Sequence, residues 1–353
     1  MKKIDDFLIN AEVSIKKAMK QLTVVGQKGL FVVDHNEILI GALSDGDIRK
    51  WVLAGGNLNE TIVKIYNKKP HFVSENYQIE EVKEMMLKFL IECIPVVNKE
   101  LKITNILTWG DVFSNKIIYR KPLDIQVVIM AGGKGSRLDP FTRILPKPLI
   151  PIGDKSIIEI IMDKFSAYDI KDFFVSVNHK ANMIKSYFED SSKKAYKIRF
   201  IDENKPLGTV GSLKLIKNKL KDTFLVTNCD IIIDADCSEI IKFQEDNNFD
   251  MTLVVSCRHF VIPYGVCEVK NGGELSSINE KPGYDYLINT GMYLMKKKLI
   301  DLIPSSKYFN MDNLIKKIQD KGYKIGVFPI SESAWTDVGQ WDEYHKAVGK
   351  LGL

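Results

Sequence analysis

No two of the five cysteines, Cys93, Cys229, Cys237, Cys257 and Cys267, stand in a Cys-x-x-Cys spacing. So odd and scattered a set excludes a disulfide framework and reads as the reduced thiols of a cytoplasmic protein. No apolar run approaches the ~20 residues of a spanning helix, so no membrane partner is expected. The amino terminus, Met1-Lys2-Lys3-Ile4-Asp5-Asp6, turns acidic before any long apolar stretch, unlike a secretory signal. Charge of one sign is also lacking, because a net +5 is small for 353 residues. It gives no reason to expect nucleic acid, although mild positive charge suits anionic phosphate substrates. Histidine is sparse, and His35, His71, His179, His259 and His345 show no ligand spacing. What remains is ordinary for a soluble globular chain, 45% hydrophobic and 27% charged, and long enough for two domains.

The most informative stretch runs from Gln126 to Leu149, QVVIMAGGKGSRLDPFTRILPKPL. An apolar run bounded by glycines, Val127 to Met130, suits a buried strand. After it, Ala131, Gly132, Gly133, Lys134, Gly135, Ser136 and Arg137 let the backbone turn tightly with its N–H groups converging. Such a nest, with Lys134 and Arg137 beside it, can hold a polyphosphate. Pro146 and Pro148 stiffen the chain on either side of Lys147. Two other phosphate loops are excluded. A Walker loop ends in Gly-Lys-Ser/Thr, whereas Gly135 is followed by Ser136-Arg137, and a dinucleotide fingerprint needs a third glycine near Leu138.

Gly132, Gly133, Gly135, Arg137, Leu138, Pro140, Thr142, Pro146, Lys147 and Pro148 form one spaced set. It resembles the Gly-Gly-x-Gly-x-Arg-Leu-x-Pro-x-Thr…Pro-Lys-Pro pattern of the nucleotide-sugar pyrophosphorylases, or sugar-1-phosphate nucleotidylyltransferases. The resemblance implies an NTP over the Ala131–Arg137 bend and a sugar 1-phosphate beside it. Arg137 would hold the departing phosphates and Lys147 would bridge the reacting ones. Four further constellations follow in the family's order. Glu203, Pro206, Gly208 and Thr209 lie in a segment similar to the family's base-reading loop, where Gly208 allows close approach of a nucleotide. Glu203 stands where uridylyl and thymidylyl members tend to place glutamine. A carboxylate only accepts hydrogen bonds, and guanine offers two adjacent donors, so GTP is the expected donor. The alternative is a solvated loop charge.

Asp230 and Asp337 match the family's two metal aspartates. Two carboxylates with phosphate oxygens suit Mg²⁺, although either aspartate alone would read as a turn or cap residue. Glu280 and Lys281 match the family's Glu-Lys-Pro, with Lys281 on the sugar phosphate and Glu280 on sugar hydroxyls. Asn289 and Thr290 match a strand-end motif that also touches sugar. Tyr264 and Gly265 resemble a loop at the sugar pocket rim, with simple packing the alternative. Asn178, at the end of a strand, is placed to face substrate. No general base is needed, because a phosphate monoester is already ionised near neutral pH.

Residues 1–121 contain a weak internal repeat, with copies at about 1–66 and 67–121. Each copy is a strand, a polar turn, a second strand and then a hydroxyl residue three before an aspartate: Ser44 and Asp47, then Thr108 and Asp111. The hydroxyl can cap a following helix. The repeat resembles a tandem pair of CBS domains. That resemblance implies an adenosine nucleotide with Asp47 and Asp111 on its ribose and Ser44 and Thr108 near phosphate. The alternative is a dimerisation scaffold, and a homo-oligomer is expected. Lys121-Pro122-Leu123-Asp124 reads as the hinge to a second domain, 122–353.

From Ile125 onward strand-like runs alternate with helical patterns. Strands are expected near 126–130, 173–177, 198–201, 224–226, 251–255, 266–269 and 325–328, and helices near 157–168, 181–188, 210–216, 238–247 and 312–320. The expected fold is α/β, a Rossmann-like, mostly parallel mixed sheet of the nucleotidyltransferase, GT-A-like kind, with a smaller α+β CBS pair ahead of it. In such sheets ligands bind at the carboxyl ends of the strands. The arrangement resembles the glucosamine-1-phosphate guanylyltransferases of legionaminic acid biosynthesis. Mannose 1-phosphate, heptose 1-phosphate and a catalytically silent nucleotide-sensing subunit remain open alternatives.

Overall fold

The computed structural model describes residues 3–89, 91–113, 122–190 and 196–350. The chain divides into two compact units, Met1–Ile118 with Pro329–Ser333 and Tyr119–Phe328 with Ala334–Leu353. Lys121, in the expected hinge, lies outside the described residues.

The first unit repeats one order of elements. β1 (Leu8–Asn10), α1 (Ile15–Val25), β2 (Gly29–Val33), β3 (Leu39–Ser44) and α2 (Asp45–Leu53) are followed by β4 (Val73–Ser74), α3 (Ile79–Phe89), β5 (Cys93–Val97), β6 (Ile103–Thr108) and α4 (Trp109–Phe113). In each copy the first two strands pair in parallel and the last two antiparallel. α1 shows why these segments fold locally. Ser14 Oγ accepts from Lys17 N at its start, and Gly26 takes a left-handed φ of 62° at its end. Ile15, Ala18, Leu22 and Val25 fall on one helical face and are buried. The copies are joined by a Leu39 N–H to Leu101 O hydrogen bond of 3.0 Å and a Lys28–Glu92 ion pair of 2.6 Å.

The second unit opens with β7 (Gln126–Met130), α5 (Phe141–Ile144), β8 (Pro151–Ile152), β9 (Lys155–Ser156), α6 (Ile157–Ser166), β10 (Asp172–Val177), α7 (Ala181–Asp190) and β11 (Lys197–Asp202). α8 (Leu213–Ile216), β12 (Thr223–Asn228), β13 (Ile231–Ile233), α9 (Cys237–Asp246) and β14 (Met251–Val261) come next. The chain continues through β15 (Gly265–Val269), β16 (Leu275–Glu280), β17 (Gly283–Lys296), α10 (Met311–Asp320), β18 (Ile325–Ile330), β19 (Trp335–Asp337) and α11 (Trp341–Lys350). Seven strands form the main sheet in the order β11-β10-β7-β12-β17-β14-β18. The first four are mutually parallel, and β17 runs antiparallel to both β12 and β14.

β7 is buried along its whole length, as a parallel strand covered on both faces must be. Its alternate residues serve two cores. Val128 and Met130 join Phe174, Phe224 and Val226 under α8 and α10. On the other face α6 buries Ile157, Ile158, Ile161, Met162 and Phe165, and Phe165 meets Phe173 with ring centroids 6.3 Å apart.

The structure departs from expectation at four points. The 14-residue β17 and the helix α11 were not expected, and the strand begun at Met251 continues to Val261. The helix expected over 210–216 is only the single turn α8. Its first part is drawn off the helical path because Val210 N–H bonds to Phe309 O at 3.3 Å.

Candidate active site

The carboxyl edge of the parallel strands carries the glycine bend. Gly135 adopts φ 71°, a left-handed conformation that favours glycine. The space is also closed to a side chain: a Cβ there would lie 2.9 Å from Lys147 Cβ and 3.0 Å from Thr142 Cγ2. The bend therefore packs directly on the segment that presents Lys147. Gly133 has open space around it, and Lys134, Ser136 and Arg137 are exposed. Among the described residues Arg137 makes no ion pair, so its charge is available to an anion.

Two further strands bring the carboxylates together. Ile231 of β13 pairs with Asp337 of β19, and Val338 N–H bonds to Asp230 O at 2.8 Å. This short ladder sets Asp230 beside Asp337, although the two stand far apart in the sequence. Lys147 Nζ reaches Asp230 Oδ2 at 2.5 Å. Gly339 completes the group. A Cβ on it would lie 2.7 Å from Asp337 Oδ1, 3.1 Å from Lys147 Nζ and 3.2 Å from Asp230 Oδ2. Burial holds the Asp337 carboxyl above its usual range; the Gly339 N–H, donating at 2.7 Å, opposes the shift, and the Asp230 charge adds to it. The neighbouring Cys229 thiol is pushed up to about 12 by burial and by Asp230, so it stays protonated and offers no thiolate.

These donors fit a magnesium ion. Both are hard carboxylate oxygens, their number leaves positions for phosphate and water, and Gly339 keeps the space between them free of side chain. Among the described residues no group of three or more His, Cys, Asp or Glu forms a closed metal cage.

On the opposite side of the bend Glu203 is buried rather than solvated, at 8% exposure. Its Oε1 accepts from Ser176 Oγ and its Oε2 from Leu207 N at 3.0 Å. A Cβ on Gly132 would lie 3.2 Å from Glu203 Oε1, so the carboxylate sits directly beneath the bend. Asn178 follows β10, and its Nδ2 donates to Glu203 O at 2.6 Å. Gly208 is required to be glycine by this chain's own backbone. Its φ is 80°, and a Cβ would fall 2.5 Å from Phe309 O, so it is backbone of this chain that approaches it. Thr209 Oγ1 accepts from Met311 N at 2.8 Å, at the start of α10, and the exposed Pro206 lies in the loop between.

The sugar-side candidates form two groups. Tyr264, Gly265, Glu280 and Lys281 meet at the base of the β15–β16 hairpin, where Gly265 pairs with Glu280 and Lys281 N–H bonds to Tyr264 O at 3.3 Å. Lys281 has φ 49°, an uncommon conformation for a residue with a side chain. Among the described residues no hydrogen bond or ion pair joins this group to Asp230 or Lys147. Asn289 and Thr290 are not at a strand end. They lie inside β17 at a bulge, since Val254 pairs with Met292 and Val255 with Asn289. Thr290 Oγ1 donates to Val254 O at 2.8 Å, and Gly291 (φ 89°) would place a Cβ 2.6 Å from Asn228 Nδ2. The bulge thus packs behind the end of β12, two residues before Asp230.

In the first unit the two hydroxyl–aspartate pairs are occupied with helix starts. Ser44 N and Oγ both donate to Asp47 Oδ2, at 2.8 and 2.6 Å, and Thr108 N and Oγ1 donate to Asp111 Oδ2 at the same two distances. Reasoning from sequence missed Gly339, Thr142 as packing under Gly135, and Ser176 as a partner of Glu203. Only Thr142 carried a signal, as a member of the spaced motif.

Comparison with known proteins shows the family of each part of the chain. The Nucleotidyl transferase family model matches residues 126–352, and the CBS domain model matches residues 2–54 and 62–116. The UTP–glucose-1-phosphate uridylyltransferase of Synechocystis sp. is 29% identical over 243 residues, 64% of this chain and 62% of that protein. The mannose-1-phosphate guanyltransferase of Yarrowia lipolytica is 35% identical over 184 residues, 50% of each chain. Thus the chain spans about half to three-fifths of the length of these curated relatives. Among solved structures, HddC from Yersinia pseudotuberculosis superposes with a TM-score of 0.51 at 27% identity, covering 64% of this chain and 99% of that one. The same protein complexed with GMP-PN gives a TM-score of 0.50. With more than half its length matched, this chain belongs to the nucleotidyl transferase family.

Proposed function

We propose that residues 126–352 transfer a nucleotidyl group, GMP, from GTP to a sugar 1-phosphate, releasing pyrophosphate, and that the sugar is glucosamine. The observation that carries this reading is the meeting of Lys147, Asp230 and Asp337 around Gly339, next to the glycine bend. Both reactants are anions, so the chain's work is to hold them in line and offset their repulsion. Ala131–Arg137 receives the triphosphate through its main-chain N–H groups, and Arg137 holds the leaving β- and γ-phosphates. Lys147 bridges the reacting phosphates, leaving Asp230 for the metal as it does so. Lys281 seats the sugar phosphate, Glu280, Asn289 and Thr290 approach the sugar hydroxyls, and Tyr264, Gly265 and Asn178 line the remaining rim. Asp230 and Asp337 would hold a magnesium ion, which when bound would neutralise charge growing on the departing pyrophosphate.

Guanine follows from Glu203. Ser176 and Leu207 orient its carboxylate, and each oxygen keeps a second acceptor position for guanine's N1–H and 2-amino group. Similarity to a mannose-1-phosphate guanyltransferase and to a protein crystallised with GMP-PN supports the same choice. Glucosamine rests on the arrangement of a CBS pair ahead of the transferase. The pair is proposed to take an adenosine nucleotide at Ser44, Asp47, Thr108 and Asp111 and to promote a homo-oligomer. Pyrophosphate release, measured with four NTPs against glucosamine, mannose and heptose 1-phosphates, tests the reading. It predicts the highest rate with GTP and glucosamine 1-phosphate. Inactivity with every pair would favour a silent sensor.

A further inference from the structure

The segment between the glycine bend and Lys147 is held by two side chains that no step of the proposed reaction uses. α5 is a single helical turn, Phe141–Ile144; Leu145 N–H closes on Phe141 O at 2.9 Å, and the carbonyls of Thr142, Arg143 and Ile144 are left without partners within the helix. Lys180 supplies them. Its ammonium donates to Thr142 O at 3.0 Å, Arg143 O at 2.6 Å and Ile144 O at 3.0 Å, and its three N–H bonds are thereby all used. Lys180 adopts φ 54°, an uncommon conformation for a residue with a side chain. Strain of this kind persists where surrounding contacts require it.

The second hold comes from the other side. Trp341 Nε1 donates to Asp139 O at 2.9 Å, and its ring meets Phe141 edge-on with centroids 4.7 Å apart. Trp341 opens α11, two residues after Gly339, so it also ties the segment to the strand that presents Asp337. Between the two holds lies Thr142, buried at 5%, whose methyl packs under Gly135 beside Lys147. Moving α5 therefore moves Arg137 at one end and Lys147 at the other.

We propose that Lys180 and Trp341 are positioning residues for nucleotidyl transfer, clamping Asp139–Ile144 so that Arg137 and Lys147 meet the triphosphate already in place. This rests on the activity proposed above. A clamped segment has little conformational freedom left to lose when the nucleotide binds, whereas a loosened one must be ordered at that moment. The loss then falls equally on ground state and transition state and is read in KM.

The test uses the full chain with two readouts. Lys180→Met is expected to raise the KM for the NTP by about tenfold, leaving kcat and the KM for sugar 1-phosphate within about threefold. Lys180→Arg should not restore it, because a planar guanidinium cannot meet three carbonyls that surround one ammonium. Trp341→Phe, which keeps the ring contact, should show the same pattern more weakly. Amide hydrogen exchange is the second readout. Lys180→Met should speed exchange at Arg143 and Leu145, whose N–H groups bond within this turn, and leave β7 unchanged. An unchanged NTP KM with unchanged exchange would overturn the proposal, as would equal rises in both KM values with a general loss of protection. Were the wild-type chain inactive with every NTP, the activity reading would fall, and exchange in the variant would still decide the clamp.

Discussion

The two units use aspartate in opposite ways. In the first, Asp47 and Asp111 each follow a hydroxyl residue by three positions, and each spends one carboxylate oxygen closing the start of its own helix. In the second, Asp230 and Asp337 cap nothing. They are brought together by the β13–β19 ladder and face a lysine from a third segment. The first pair is satisfied by local sequence; in the second only Asp337 has a local donor, the Gly339 N–H, and Asp230 takes its cation from elsewhere. A carboxylate left in that condition is poised for a ligand, and one that already holds its own helix has at most half its capacity to offer.

Substitutions at both kinds of site sharpen this contrast. The largest effect is expected at the ladder. Asp230→Asn or Lys147→Ala should lower turnover about 10³-fold with the fold intact, read by pyrophosphate release and circular dichroism. Gly339→Ala comes next, at about 10²-fold, because its methyl would press on Asp337 and reach Lys147 and Asp230. Glu203→Gln should keep the Ser176 and Leu207 contacts yet shift the GTP-to-UTP preference about tenfold toward UTP, measured as a ratio of kcat/KM values. Ser44→Ala should leave transfer unchanged and cost the first unit about 1 kcal/mol of unfolding free energy by denaturant titration. Equal catalytic losses from Ser44→Ala and Asp230→Asn would erase the distinction between the units.

A pH-dependent prediction follows from Asp337. Its folded-state pKa is raised, so the folded state favours the protonated carboxyl. That contribution to stability is complete below the ordinary carboxylate range and is lost as pH rises through the range to the raised value. Asp337→Asn removes the cost of ionisation. In metal-free buffer the variant should melt above the wild type at neutral pH, with the gap closing under acid conditions. An identical gap at all pH values would show that the carboxyl is not the cause.

Much of the glycine bend was legible as a turn because its constraints are local. Glycine permits the turn at Gly135, and the prolines stiffen the chain around Lys147 whatever the rest of the protein does. The buried run Val127–Met130 was legible for a related reason, since a strand covered on both faces needs no alternation. β17 was not, because the bulge at Thr290-Gly291 interrupts its alternation of side chains. Gly339 and Lys180 were illegible for a deeper reason: their partners are Lys147 and Asp230 in one case and three main-chain carbonyls in the other, all far away in sequence. At Gly208 the motif was found, whereas the contact with the Phe309 backbone was not legible, because Phe309 lies far away in sequence.

Phosphorus NMR of the full chain with GTP, glucosamine 1-phosphate and magnesium would follow the proposed transfer itself. GDP-glucosamine and pyrophosphate are expected in equal amounts, with both signals absent for Asp230→Asn. Pyrophosphate formed at an undiminished rate by that variant, or none formed by the wild type with any NTP and any sugar 1-phosphate, would contradict it.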